Sequence, residues 1–480
     1  MKTNKIILLL AVVVALAVAS LATALAADKT TLYVQEPFGL DMTNAQSKAF
    51  DGLLRSYEAK HPEIVIKYLS PPGSIHDNTT YTPWMQARML AKDAPDILNL
   101  HQGLVTQFYG LHWFLPLEGM LDKKDPYAGG KSWRSTLDQG MMNFFTMNDR
   151  HCYGVPVDGV GVAVFYNKTM FKKAGISTEP KTWPGFITAC QKLKKAGFVA
   201  WNGGCGNKPK MALHWLTTPL LGQMMQSESQ LALRKKVDLN GDSSLISNEY
   251  AIAFRKGLWP NWEVYGDALK TYKQLTEFMP LGWQGDVTNF DTNFASGAVA
   301  MSIEGSWTVP SLIDMKLDFE FGIFQVPLLT NNQSSFASGM LCRHTGPWGY
   351  SLGLPGYLKD NPKRLALVED LVFYLTSKAS MQKVADASPS YLPFVKGVVA
   401  GGTQSKLMIV FSNPKAVPIA DVPSWISLAY DGEAEDTSRQ VTEDYLRGKI
   451  TLEEAIDKEK KAMEASVQRQ LALNPDFLKE

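Results

Sequence analysis

Apolar residues recur along this chain with two different periods, and the changes of period mark out its elements. Thr31 to Gln35 predicts a short strand. Thr43 with Gln46 forms a capping box before a helix whose apolar face is Phe50, Leu53, Leu54 and Tyr57, and Pro62 ends it. Ile64 to Leu69 is a second, nearly continuous apolar strand, followed by a helical run around Trp84 to Ala91 and a third strand at Asp96 to Leu100. This rhythm predicts an α/β fold with a mainly parallel sheet covered by helices on both faces. Such sheets bind ligands in the crevice outside the carboxyl ends of their strands. The turns after Gln35 and Leu100 are therefore singled out, with Glu36, Asn99, His101 and Gln102 as binding candidates; the plainer reading is solvated loop residues or helix caps.

Farther along, Tyr153 to Tyr166 alternates and then runs apolar, interrupted by Gly154, Pro156, Gly159 and Gly161, as suits a strand that crosses between two lobes. Thr182 is the natural N-cap of a helix that ends near Gly197. Gly349 to Leu354 reads as a return crossing, and Leu365, Val368, Val372 and Leu375 mark an amphipathic helix. Thr451 and Glu454 form another capping box before a charged helix carrying Leu452, Ile456 and Met463. No internal repeat or low-complexity linker separates the halves, so strands inside the fold must join them.

The amino end changes the picture. Lys2 and Lys5 precede an apolar run from Ile6 to Ala19, and Ala24-Leu25-Ala26 has the small-residue form read by signal peptidase, so the mature chain is expected to begin near Ala27 or Asp28. The rival is an uncleaved anchor, since Ile6 to Ala27 is long enough to span a bilayer. No Cys follows the run to carry a lipid, which points to the periplasm of a Gram-negative cell. About 450 residues then remain, enough for two or more compact units. The formal charge of +1 gives no electrostatic case for nucleic acid or anionic lipid. Cys152, Cys190, Cys205 and Cys342 lack metal-site spacing and are expected as staples or buried thiols, with Cys190 to Cys205 the first pairing to consider and Cys152 to Cys342 the second.

The stretches "YEAKHPEIVIKY", "DAPDILNL", "YGVPVDGVGVAVFYNKTMFKKAGI", "KTWPGFITACQKLKKAG", "FASGAVAMSIEGSW" and "FYLTSKASMQ", in this order, resemble the extracellular solute-binding proteins of ABC importers, the family that includes maltose-binding protein. The resemblance implies a two-lobed periplasmic-binding-protein fold of the class II type, with discontinuous lobes joined by hinge strands and a ligand in the cleft. Expected boundaries are a signal peptide over 1–26, an N-terminal lobe over 27–156 plus 353–396, and a C-terminal lobe over 157–352 plus 397–480. Carried over by position, Asp158, Trp307 and Trp425 are the first cleft candidates, and Trp201, Trp283, Trp348 and Tyr391 follow from their neighbourhoods. Aromatics are expected because a sugar shows C–H faces that a flat ring can cover while amides and carboxylates bond its hydroxyls. The opposing reading is that an aromatic is more often core. Gln223 to Tyr250 and Thr330 to Pro347 look longer than the family's compact form, and the second insertion, with Cys342, Arg343, His344 and Trp348, is a candidate lid.

"DLNGDSSLISNE" places Asp238, Asn240 and Asp242 at positions one, three and five of a loop, the Ser244 carbonyl at seven and Glu249 at twelve, the oxygen spacing of an EF-hand. Ser243 stands where glycine normally allows the sharp turn. One structural Ca2+ is expected here; the bland alternative is a polar surface loop.

The function expected is that of a monomeric receptor that closes on a sugar or oligosaccharide and delivers it, unchanged, to the membrane subunits of an ABC permease. No organic cofactor is expected. An exported carbohydrate-active enzyme would need two carboxylates about 5 to 9 Å apart across a glycosidic bond; the sequence shows no nucleophile elbow, H-E-x-x-H zinc site or phosphate loop. Another cargo, such as a ferric ion, polyamine, polyol or glycerol phosphate, is the remaining alternative. The chain has no adjacent Tyr-Tyr pair to suit iron and no Arg-Lys cluster to suit phosphate.

Overall fold

The computed structural model describes residues 29–36, 45–73, 78–100, 102–147, 149–238, 247–258, 260–285, 289–347, 349–388, 390–399, 405–413, 415–418, 431–476 and 478. The strands are β1 (Thr30–Val34), β2 (Ile64–Tyr68), β3 (Leu98–Asn99), β4 (Val155–Pro156), β5 (Asp158–Asn167), β6 (Val199–Trp201), β7 (Val299–Gly305), β8 (Phe321–Phe324), β9 (Cys342–Gly346), β10 (Ser351–Gly353), β11 (Leu392–Pro393) and β12 (Val417–Pro418). The helices used below are α1 (Ala45–Lys60), α2 (Asn78–Ala91), α3 (Trp183–Lys195), α4 (Asn207–Met225), α5 (Ser247–Arg255), α6 (Trp262–Lys273), α7 (Pro362–Leu375), α8 (Lys378–Ala387), α9 (Gly432–Leu446) and α10 (Leu452–Leu473).

Two large apolar cores organise these elements. The first gathers buried residues from Leu32 to Val157 and from Tyr350 to Val398; the second runs from Val162 to Cys342 and returns from Ala434 to Met463. In the first lobe β1 and β2 are parallel, with Thr30 opposite Ile64, and α1 buries the predicted face of Phe50, Leu53, Leu54 and Tyr57. Arg364 on α7 ties that sheet down: its guanidinium bonds both oxygens of buried Asp96 (2.5 and 2.6 Å) and the Thr31 carbonyl (2.9 Å). In the second lobe β5 is central, antiparallel to β7, β8 and β9, and β6 joins β7 in parallel. The two lobes are α/β throughout, with mixed sheets.

The predicted caps form: Thr182 Oγ1 accepts the Gly185 N–H at 3.3 Å, and Thr451 with Glu454 closes both bonds of a capping box at the start of α10. Thr43 lies outside the described residues.

The crossing predicted for Tyr153 to Tyr166 is the strand pair β4 and β5. Val155 and Pro156 pair with β10 of the first lobe, and from Asp158 onward the chain pairs within the second. The return runs from β9 to β10, and β11 adds a third link by setting Leu392 opposite Gly159. Gly159 and Gly161 occupy one face of β5 because aromatic rings lie against it. A Cβ at Gly159 would stand 2.5 Å from the Phe394 ring, and one at Gly161 2.5 Å from Phe411.

The expected cystine pairs do not form: all four cysteines are free, buried thiols. Cys190 packs inward from α3, whereas Cys205 follows β6 and faces Arg447 at the end of α9. Cys152 and Cys342 belong to different cores. Burial raises the Cys190 and Cys205 thiols and pushes Cys152 up to about 12, so none is a thiolate at neutral pH.

Candidate functional site

Strand direction places the site. Val34 bridges Ile97 in parallel, β3 and β4 both oppose β10, and so the carboxyl ends of β1 to β4 share one edge of the first lobe. In the second lobe β6, β7 and β9 all end toward the amino end of β5. That end is Asp158, and Asp158 also follows the carboxyl end of β4. The two sets of strand termini therefore meet at one carboxylate, in the position where open α/β sheets receive ligands.

Asp158 is buried and held from both sides. Its Oδ2 accepts from Gln46 Nε2 on α1 (3.3 Å) and its Oδ1 accepts the Leu392 N–H (3.2 Å). Gln46 continues to the Ser388 hydroxyl (3.0 Å), which reaches Ser390 at 3.3 Å. These partners are neutral, so loss of water dominates: burial raises the Asp158 carboxyl to about 8 although the bonds from Leu392, Gln46 and Gly159 each pull it down. Gly349 approaches so closely that a Cβ there would lie 3.0 Å from Oδ2. The sequence marked Asp158; it gave Gln46 only a capping role and passed over Ser388.

Two residues beyond β7, Trp307 remains 41 % exposed. Its ring lies flat on Gly305, where a Cβ would come within 2.2 Å, and meets Trp215 on α4 edge to face at 5.2 Å. Trp215 is half-buried and carries no turn or cap signal, which is why sequence reading missed it. The Trp215 carbonyl contacts His344 Nδ1 at 3.1 Å, and burial lowers that imidazole to about 4, leaving it neutral. The result is an aromatic pair on the second lobe, with a neutral imidazole against the Trp215 backbone. Glu304, half-buried on β7, accepts the Ser302 hydroxyl at 2.6 Å, and Ser302 Oγ accepts from Asn202 Nδ2 at 3.0 Å. Carboxylate and amide groups thus stand one strand-end away from the indoles.

Across the crevice, the Glu36 N–H donates to Ser70 Oγ (3.2 Å), and its side chain is half-buried at the carboxyl end of β1. Asn99 is buried: its Oδ1 accepts the Ser351 N–H (3.4 Å), its N–H donates to Gln35 Oε1 (3.1 Å) and its carbonyl accepts from Tyr81 (2.9 Å). Asn99 therefore braces the edge of the sheet from below. Gln102 is likewise buried, on the short helix Gln102–Phe108.

Three aromatic candidates are corrected. Trp201 is wholly enclosed in the second core, edge to face with Phe186 at 5.6 Å, because it points inward from β6. Trp283 is also buried in that core. Tyr391 is buried and donates its hydroxyl to the Val157 carbonyl at 2.6 Å, so it fastens the hinge. His101, Trp348 and Trp425 lie outside the described residues, as do Asn240, Asp242 and Ser244 of the calcium-like loop. Of that loop, Asp238 caps the helix Glu228–Val237 and Glu249 is buried on α5. Among the described residues no group of three metal-ligating side chains converges, and no helix is long and apolar enough to cross a membrane.

Comparison with known proteins bears on the fold and the family. The chain is 22% identical over 380 residues to a multiple sugar-binding protein of Streptococcus mutans, covering 77% of this chain and 76% of that one. It is 23% identical over 363 residues to the melibiose/raffinose/stachyose-binding protein MelE of Bacillus subtilis, covering 74% and 73%. It is 24% identical over 312 residues to the sn-glycerol-3-phosphate-binding protein UgpB of Brucella melitensis, covering 64% and 63%. Among solved structures, a chitin oligosaccharide binding protein superposes with a TM-score of 0.69 at 20% identity, over 92% of this chain and all of the other (100%). RafE in complex with raffinose gives 0.63 at 17% identity, over 91% and 100%. These likenesses show the fold. The family model for bacterial extracellular solute-binding proteins matches residues 41–382, and this chain belongs to that family.

Proposed function

We propose that this protein is the sugar receptor of an ABC importer, exported to the periplasm, that closes its lobes over an oligosaccharide and hands it unchanged to the permease. The observation that carries this reading is a half-exposed Trp307, backed by Trp215, at the same strand ends as the hinge carboxyl of Asp158. Indole faces cover the apolar faces of a pyranose, and a carboxylate and amides accept and donate at its hydroxyls. Relatives named for multiple sugars and for raffinose-type sugars support it. Closure would bring first-lobe groups such as Glu36 onto a guest already resting on the indoles, shifting the population toward the closed form.

The UgpB relatives favour a second reading, glycerol phosphate. A phosphate calls for Arg or Lys, whereas Gln46 and the Leu392 N–H, which bond Asp158, are neutral, and the strand leading to Trp307 carries an acid, Glu304. Calorimetric titration with raffinose, melibiose, chitin oligosaccharides and sn-glycerol 3-phosphate separates the readings. Binding of a sugar, with the sugar recovered intact, is expected; binding of the phosphate alone, or cleavage of a sugar, rejects the proposal.

A further inference from the structure

Asp158 stands at one end of a run of side-chain hydrogen bonds. Its Oδ2 accepts from Gln46 Nε2 at 3.3 Å, Gln46 Oε1 accepts the Ser388 hydroxyl at 3.0 Å, and the Ser388 and Ser390 hydroxyls lie 3.3 Å apart, where either can donate. Gln46 is in the first turn of α1, and Ser388 is the buried residue that ends α8. Ser390 is half-buried and precedes β11, which pairs with the amino end of β5, where the strand ends meet. At the carboxyl the partners are fixed. Oδ1 takes the Leu392 N–H at 3.2 Å, and the backbone at Gly349 comes so close that a Cβ there would stand 3.0 Å from Oδ2. Among the described residues Tyr391 is the titratable group that acts on Asp158; α1, α8 and the chain at Gly349 bring to this run only an amide, a hydroxyl and bare backbone. Burial holds the Tyr391 phenol neutral, with its hydroxyl given to the Val157 carbonyl.

A glutamine amide donates from one atom and accepts at the other, so the donors in this run can be ordered in two ways. The order in this structure suits an ionised Asp158: Gln46 donates to the carboxylate, Ser388 donates to Gln46, and Ser390 is left to donate to Ser388. Ser390 then offers a neighbouring guest only an acceptor. A proton on Asp158 goes to Oδ2, because Leu392 holds Oδ1 as an acceptor, and an O–H there cannot face the Gln46 NH2. We propose that Gln46 turns its amide over in response to that proton, so that Oε1 accepts from Asp158, Nε2 donates to Ser388, and Ser388 donates to Ser390, which turns its own O–H outward. The run gains the one proton on Oδ2, and every other hydrogen stays on its own atom. Burial raises the Asp158 carboxyl to about 8, so the reversal is centred near that pH. Gln46 and Ser388 are thus positioning residues: they decide whether Ser390 meets a guest as donor or acceptor. That consequence rests on the sugar reading, whereas the reversal does not. A sugar hydroxyl can follow the change only by rotating away from its other partners, at a cost of up to one net hydrogen bond, about twofold to tenfold in affinity.

Nuclear magnetic resonance of the sugar-free full chain, with glutamine nitrogen labelled, tests the reversal without a ligand. The Gln46 side-chain signal is identified by its loss in Gln46→Met. Overhauser contacts from its amide protons are expected to reach the Ser388 methylene below the midpoint and the Leu392 N–H above it. In Asp158→Asn the Ser388 contact is expected on both sides of the midpoint, because the asparagine amide donates to Gln46 as the protonated acid does. The second variant, Ser388→Ala, leaves Asp158 and Gln46 in place and cuts the run before Ser390. For whichever sugar the parent binds, affinity is expected to change about twofold to tenfold across the midpoint in the parent and to lose that dependence in Ser388→Ala. The same Gln46 contacts on both sides of the midpoint in the parent overturn the relay, whatever the protein binds. A pH dependence of affinity that Ser388→Ala leaves unchanged overturns its action on the guest while leaving the sugar reading standing.

Discussion

Asp158 accepts the backbone N–H of Leu392 at 3.2 Å, across a separation of 234 residues, and so one carboxylate holds the first crossing strand to the last. Because burial raises that carboxyl to about 8, well above its value of 3.8 in an unfolded chain, the folded state binds a proton more tightly than the unfolded state. Its contribution to stability is whole below pH 3.8 and is lost as pH rises through about 8. Asp158→Asn keeps an acceptor for Leu392 and cannot ionise. The melting temperature of the parent, measured against this variant, is expected to fall progressively between pH 5 and pH 8; parallel curves over that range would refute the assignment.

Trp307 and Trp201 should respond in opposite ways. Trp307→Ala removes an exposed ring and is expected to cost less than about 1 kcal/mol of stability while weakening sugar binding at least tenfold. Trp201→Ala empties part of the core and is expected to cost about 3 to 5 kcal/mol. Urea unfolding and calorimetry on the same samples check both. Equal affinity for Trp307→Ala and the parent would remove the indole from the site.

Gly161 gives way to the Phe411 ring, so Gly161→Val must displace it. A loss of about 1 to 3 kcal/mol is expected from overpacking, read as a lower urea midpoint at unchanged slope. Gly175, at φ 68 in an open turn, offers a contrast: Gly175→Ala there is penalised by backbone strain and not by crowding.

The spacing of Asp238, Asn240, Asp242, Ser244 and Glu249 gives a metal prediction. Addition of calcium to chelator-treated protein is expected to raise the melting temperature, and Asp242→Ala is expected to abolish the rise. An identical melt with chelator and with calcium would make the segment an ordinary polar loop.

The fold was legible in the chain because its signals are local. Periodicity located α1, turn residues located the β4 to β5 crossing, and side-chain oxygens located the caps at Thr182 and Thr451. The site was half legible. Asp158 and Trp307 carry motif positions, but Trp215 sits in the middle of an apolar helix, and Gln46 is brought to Asp158 only by tertiary packing over 112 residues. Trp201, Trp283 and Tyr391 misled for the converse reason: an aromatic beside a strand end, as at Trp201 and Tyr391, or in a turn, as at Trp283, can face either way, and only the packed core decides. Cysteine spacing misled too, since Cys190 and Cys205 face different neighbours despite lying close in sequence.

Closure over an intact guest is tested most directly by small-angle scattering of the parent protein with and without a saturating sugar found by titration. The account predicts a smaller radius of gyration with sugar and recovery of that sugar unaltered. A saturated complex whose scattering matches that of the free protein would contradict it.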